Sequence, residues 1–264
     1  MKTMFIYLGR RAISFKNDFN NVIKMVNEFA YWTLIAPVKG KGLRLKETVN
    51  QIVKIGYKAV PLVFLISFFI GLILVMQSAY QLRKVGAEIY VADLVAVSIT
   101  RELGPLMTAI IVSARSGSAI AAEIGTMKVS EEIDALISLA LNPIKFLVTP
   151  KLLALIIALP CLTILADMVG IIGGFLMGII NIDLSPVQYF HHTINSLQMK
   201  DIVTGLIKSV VFAWVIVQVS SVEGFLVKGG AEGVGKSTTN AVVKSIFFII
   251  FADVIFTAIF YYWT

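Results

Sequence analysis

The chain has 264 residues, of which 58% are hydrophobic and 15% charged, against about 25% charged in soluble domains. A mean hydropathy of +0.86 is too apolar for a water-facing surface, and the length holds one membrane domain with no room for a large soluble one. The formal charge of +7 points to a membrane surface rather than nucleic acid, because the basic excess sits beside apolar spans.

Residues 1–58 hold 11 Lys and Arg against three acids, Asp18, Glu28 and Glu47. Phe15, Phe19, Val22, Val26 and Phe29 recur at three- and four-residue steps, with Lys16, Asn20, Lys24 and Glu28 on the other faces. That spacing predicts an amphipathic helix in the cytoplasmic interface; a helix packed on another protein domain is the alternative. Leu45, Val49 and Ile52 extend the interfacial stripe. No compact apolar run followed by small residues opens the chain, so no signal peptide is expected.

Residues 59–82 carry no charge and are long enough to cross a bilayer, which takes about 20 apolar residues. Further spans are predicted at 94–114, interrupted by Arg101 and Glu102; at 152–182, containing Asp167; at 202–222, containing Lys208; and at 245–263, containing Asp253. The third is long for one crossing, so tilt or a bend near Pro160 or Gly173-Gly174 is expected. The chain thus reads as an all-α integral membrane protein: an interfacial region over 1–58, then a five-helix transmembrane domain over 59–264.

Five spans put the termini on opposite sides. With the N-terminus inside, the inside segments hold 18 Lys and Arg and the outside segments three, Arg83, Lys84 and Lys200. The positive-inside rule therefore predicts a cytoplasmic N-terminus and a periplasmic C-terminus in the cytoplasmic (inner) membrane. The single cysteine, Cys161, reads as a small buried side chain; no intrachain disulfide can form.

Residues Gly230–Ser237, GAEGVGKS, match the phosphate-cradling pattern G-x-x-x-x-G-K-[ST]. That loop needs a strand before it and an α/β domain around it. Here a membrane helix precedes it, so it reads as a glycine-rich connection between spans four and five.

Residues 123–145, EIGTMKVSEEIDALISLALNPIK, lie between spans two and three. Ser130 is a candidate cap for a short helix with Glu131 and Glu132 in its first turn. Ile133, Leu136 and Ile137 give one apolar face, and Asn142-Pro143 ends it. A short acidic amphipathic helix here suits docking of a cytoplasmic partner; a helix lying on the membrane fits the same pattern.

Charges inside spans cost at least about 2.5–3.5 kcal/mol each at mid-bilayer. Adjacent on a helix, Arg101 and Glu102 point about 100° apart and need other partners. Lys208 and Asp253 are candidates to pair, and Asp167 is a further buried charge. Such residues either line a polar cavity for a charged headgroup or form structural ion pairs. Gln77 and Tyr80, near the outer end of span one, are candidate headgroup contacts or interfacial anchors. His191 and His192, adjacent in the outer loop, are poorly placed to share a metal, and no metal site is expected. Neither a Ser/His/Asp set nor a paired-carboxylate site is evident.

The run TRELGPLMTAIIVSARSGSAIAAEIGTMKVSEEIDAL, Thr100 to Leu136, resembles the signature of the MlaE family of ABC transporter permeases. The stretches Pro61 to Gln77 and Gly229 to Gly235 are similar to that family's first span and last inter-span loop. The resemblance covers roughly residues 40 to 264, and Gly-Lys-Ser stands where other members often carry Arg. It implies an interfacial helix followed by five spans, and a homodimer with its lipid cavity between the copies, where spans one and five are prominent. It implies a cytoplasmic ABC ATPase docked on the short helix after span two, through Ser130, Glu131, Glu132, Asp134, Ala135 and Leu136. It also implies an outer MCE-domain lipid-binding protein and a glycerophospholipid substrate moved between inner and outer membranes. The lipid path would use Gln77, Tyr80, Arg101, Glu102, Lys208 and Asp253. The chain itself would hold no cofactor and carry no catalysis, since ATP and Mg would bind the partner ATPase. Two other classes compete: a membrane-bound NTPase using Lys236, and an ion channel or proton-coupled carrier using Asp167, Lys208 and Asp253.

Overall fold

The computed structural model describes Glu28, residues 44–181 and residues 185–262. The predicted stripe of Phe15, Phe19, Val22, Val26 and Phe29 lies outside them. Glu28 alone is described from that stretch; it is helical and exposed, and accepts a hydrogen bond from Asn142 Nδ2 at 2.8 Å.

The described residues are mostly helical, with no strand among them. Ten α-helices follow in order: α1 Leu45–Gln51, α2 Val60–Arg83, α3 Val91–Ser98, α4 Gly104–Val112, α5 Ser118–Val129, α6 Glu132–Ser138, α7 Thr149–Asn181, α8 Pro186–Ser196, α9 Met199–Phe225 and α10 Gly230–Tyr262. Among the described residues, five helical stretches are long and apolar enough to cross a membrane: Leu45–Arg83, Glu88–Val129, Ile144–Ile180, Met199–Phe225 and Gly230–Tyr262. The spans number five, as predicted, but most run well past the predicted limits.

In the first three spans the extra length comes through wide turns. Ile52–Gly56, Ile99–Leu103, Ser113–Gly117 and Ile144–Val148 are π-helical and join the α-segments without a break. Span one therefore runs on from α1 through Tyr57–Ala59 into α2. Single π-turns inside helices often mark functional positions, and Ile99–Leu103 carries both Arg101 and Glu102.

Small residues let the backbones of α2 and α7 approach closely. The buried positions of α2 recur every four residues: Val63, Ser67, Gly71, Val75 and Ala79. A Cβ on Gly71 would overlap the Gly170 carbonyl oxygen, and one on Gly173 would overlap the carbonyl of Phe68. In lipid, where no water drives association, such close van der Waals contact between helices replaces the hydrophobic effect. The Gly173-Gly174 pair thus has a packing role, and Pro160 lies within the continuous helix α7.

Leu152, Leu155, Leu159, Phe212, Ile216 and Ile124 fill a core at one end of the bundle. At the other end Tyr189 of α8 packs edge-to-face on Phe175 and inserts beside Gly178, at a ring-centroid distance of 5.7 Å from Phe175. Burial pushes the Tyr189 phenol up to about 12. Helix α8 lies in what the sequence presented as a plain loop; Ser185 Oγ accepts from the Gln188 N–H and the Gln188 side chain caps Ser185 in return. Cys161 is exposed on the outside of the bundle rather than buried. It faces outward because its neighbours Leu159 and Leu162 take the inward positions.

Candidate functional site

An ion-paired cluster stands among α9, α10 and the wide turn Ile99–Leu103. Lys208 Nζ, on a side chain only 2% exposed, donates to Glu102 Oε2 at 2.5 Å and to Thr257 Oγ1 at 2.8 Å. It also lies 2.9 Å from Asp253 Oδ1, an ion-pair contact too bent to count as a hydrogen bond. Thr257 donates in turn to Glu102 Oε1 at 3.0 Å, which closes a ring. Lys208 is the tenth residue of α9 and Asp253 the tenth from the end of α10. At 1.5 Å per residue both lie about 14 Å from that end of their helices, so the ring sits inside the apolar layer.

Arg101 and Glu102 do diverge. Arg101 Nε lies 3.6 Å from Asp201 Oδ1, while Glu102 turns to Lys208. Asp201 is 5% exposed and also accepts the Gln198 N–H, which caps α9. The expected pair of Lys208 with Asp253 is present. Asp201 and Thr257 were not picked out from the sequence, yet periodicity carried a signal. Asp201 lies seven residues before Lys208 and Thr257 four after Asp253, so each shares a helix face with a charge already picked out. By residue type these groups set two bases, Arg101 and Lys208, against three acids, Glu102, Asp201 and Asp253.

Asp167 stands apart. Its Oδ1 is buried without a partner and sits where a Cβ on Gly104 would fall, just past the wide turn. It makes no hydrogen bond or ion pair to Lys208 or Asp253 among the described residues. Gln77 and Tyr80 lie on the exposed side of α2, and Lys84 Nζ covers the Tyr80 ring at 4.2 Å.

The short acidic helix is present but begins later than predicted. Helix α6 spans Glu132–Ser138 with Glu131 as its N-cap, in the left-handed region at φ 60°. Ser130 closes the previous helix instead: its Oγ donates to Thr126 O at 3.0 Å and contacts Glu132 Oε1 at 2.9 Å. The reason is that α5 runs on to Val129, which leaves Ser130 inside its last hydrogen-bonded turn. Helix α6 also ends before Asn142-Pro143, at Leu139, because Ala140 takes φ 57°. Asn142 Oδ1 accepts the N–H groups of Ile144 and Lys145, so it starts the next helix rather than ending this one. Ile133 is buried and Lys128 Nζ holds Asp134 at 3.2 Å. Glu131, Glu132, Ala135, Ile137 and Leu139 are left exposed, Leu136 partly so.

The residues Gly230–Ser237 are not a loop. They form the first two turns of α10, and the only break between spans four and five falls around Leu226–Gly229. Gly229 and Gly230 take φ 92° and 69°, which glycine adopts freely. Ser237 is buried and donates to Glu223 O at 2.6 Å, while Lys236 is exposed. From Gly233 onward its N–H groups bond back along the chain, and no strand stands before it among the described residues, so the segment lacks the strand-to-helix loop that cradles phosphates. Packing against a neighbour explains the helix: Val234 lies against Gly125 of α5, and such contact outweighs a glycine cost of about 1 kcal/mol each.

At the end of the bundle that holds Tyr189, His192 Nδ1 of α8 lies 3.2 Å from Asp93 Oδ1 of α3. The sequence showed no acidic partner near His192; the fold brings one from 99 residues away.

The profile of the family described as Permease MlaE matches residues 48–259. A probable ABC transporter permease protein of Rickettsia bellii is 39% identical over 256 residues, 96% of each chain. One from Rickettsia prowazekii is 37% identical over 254 residues, again 96% of each. The chloroplastic protein TRIGALACTOSYLDIACYLGLYCEROL 1 of Arabidopsis thaliana is 36% identical over 226 residues, 85% of this chain and 64% of that one.

Proposed function

Because this chain belongs to the MlaE permease family of ABC transporters, a family of multi-pass subunits that work with a partner ATPase and are in general non-catalytic, we propose that it moves glycerophospholipid between the inner and outer membranes. The ring around Lys208 carries the reading: ionised side chains held inside the apolar layer are costly and mark substrate paths. In this reading Arg101, Glu102, Lys208 and Asp253 line the path, and Gln77 and Tyr80 meet the headgroup near its outer end. A relative named for a glycerolipid supports a lipid substrate.

Helix α6 receives the cytoplasmic ATPase on Glu131, Glu132, Ala135 and Leu136, while Ser130 and Asp134 hold it in place. ATP and Mg bind that partner. The N-terminus is cytoplasmic and the C-terminus periplasmic, where an MCE-domain protein exchanges lipid. Two copies pair so that α2 and α10 face the cavity. The outward faces of both helices support this: Phe64, Phe69 and Ile73 of α2 and Phe247, Phe251 and Val254 of α10 are all at least half exposed. The test is ATP-dependent transfer of a fluorescent phospholipid by the chain reconstituted with its ATPase. Glu132→Ala is expected to cut transfer at least about tenfold while the complex still hydrolyses ATP, a loss of about 1.4 kcal/mol or more of coupling. Transfer that persists without ATP, or ion flux in liposomes of the chain alone, would overturn the proposal in favour of a channel or carrier.

A further inference from the structure

Where α1 bends into span one, a second charged group surrounds a small cavity. The cavity is about 70 Å³ and is lined by Gln51, Lys54, Arg115, Ser116, Ala119 and Glu123 among others. Lys54 and Glu123 lie at the end of spans one and two opposite Arg83 and Glu88, so the cavity opens near the other membrane face. Its one carboxylate is already engaged: Glu123 accepts from Lys151 Nζ at 2.7 Å and from Lys54 Nζ at 3.1 Å. Among the described residues Arg115 has no such partner. Its Nη1 is shielded from solvent with no hydrogen-bond acceptor among them. Three cations thus stand around one carboxylate, and a guanidinium on the wall has unused donors. Ser116 is fixed by donating to Ile55 O at 3.2 Å, which ties the two helices at the cavity floor.

A buried donor without an acceptor costs about 1–3 kcal/mol, more when charged, and a guanidinium is matched to phosphate geometry. The surroundings are those of a lipid. Tyr57, three residues on from Lys54 and so on the same side of the helix, is 72% exposed, and Val53 beside it is 51% exposed. We propose that this cavity binds the phosphate of an anionic glycerophospholipid, with Arg115 and Lys54 on the headgroup and the acyl chains along Tyr57 and Val53. This lipid is held at the bend of span one, separate from the ring around Lys208, and braces α1 against α5.

The test uses the full-length chain in detergent, without ATP or ATPase, so its failure leaves the transport reading standing. Phosphatidylglycerol and phosphatidylcholine are titrated separately and bound lipid is counted by native mass spectrometry. The wild-type chain is expected to bind phosphatidylglycerol about tenfold more tightly, the scale of one charge-assisted contact. Arg115→Gln and Lys54→Gln should each reduce that preference. The Lys54 side chain is 58% exposed, so K54Q serves if R115Q fails to fold. No preference in the wild type, or an unchanged preference in a folded variant, overturns the proposal. So does displacement of phosphatidylglycerol by millimolar inorganic phosphate, which would make the cavity a site for free phosphate.

Discussion

Lys208 and Lys151 are both 2% exposed, and each is held by acids from another element. Around Lys208 one ammonium serves two carboxylates, Glu102 and Asp253, with Thr257 closing the ring. Around Lys151 the ratio is reversed, with Lys54 sharing Glu123 and Arg115 beyond it without a partner among the described residues. The difference follows depth. The first centre lies inside the apolar layer, where each charge must find a protein partner. The second lies at the bend of span one, where surplus positive charge can meet lipid headgroups. The same residue type is therefore outnumbered by acids in one place and stands with surplus positive charge in the other.

The largest expected effect comes from breaking the first centre. Lys208→Met leaves Glu102 and Asp253, partly buried at 35% and 14% exposed, without their shared cation and should cost about 3 kcal/mol, read as a drop in melting temperature in detergent. Adding Glu102→Gln and Asp253→Asn should recover most of that stability but not lipid transfer. Recovery of both would make the ring purely structural.

Lys151→Met tests the second centre and should cost less, about 1–2 kcal/mol, because Glu123 keeps Lys54 as a partner, whereas Glu102 and Asp253 share Lys208. A loss equal to that of Lys208→Met would end the distinction drawn from depth. A pH effect of similar size belongs to Tyr189. Its phenol stays neutral in the folded chain up to about 12, whereas the unfolded chain ionises near 10. Stability is thus fully present below about pH 10 and lost as pH rises toward 12, by about 1.4 kcal/mol per unit. Tyr189→Phe should flatten that part of the melting profile.

The smallest effect is expected at Glu131, whose φ of 60° suits glycine. Glu131→Gly should stabilise by up to about 1 kcal/mol. A fall in ATPase coupling without a fall in stability would show that its carboxylate, rather than its backbone, serves the docking face.

Much of the fold was legible because lipid imposes a simple rule: a crossing needs about 20 apolar residues with every backbone group bonded internally. Composition alone located the five spans, and the charges inside them marked Arg101, Glu102, Lys208 and Asp253. The short acidic helix was also visible, though its cap was not, since Ser130 was already held in the turn of α5.

What only the tertiary structure decided was pairing and continuity. Glu102 meets Lys208 across 106 residues of sequence, and Arg101 meets Asp201 through a separate helix. Such partners come from different elements, so no local spacing names them. The same holds for GAEGVGKS, whose glycines predict a loop by propensity. Contact with α5 and the bond from Ser237 to Glu223 make it helix instead, because packing across helices outweighs the small preferences of single residues.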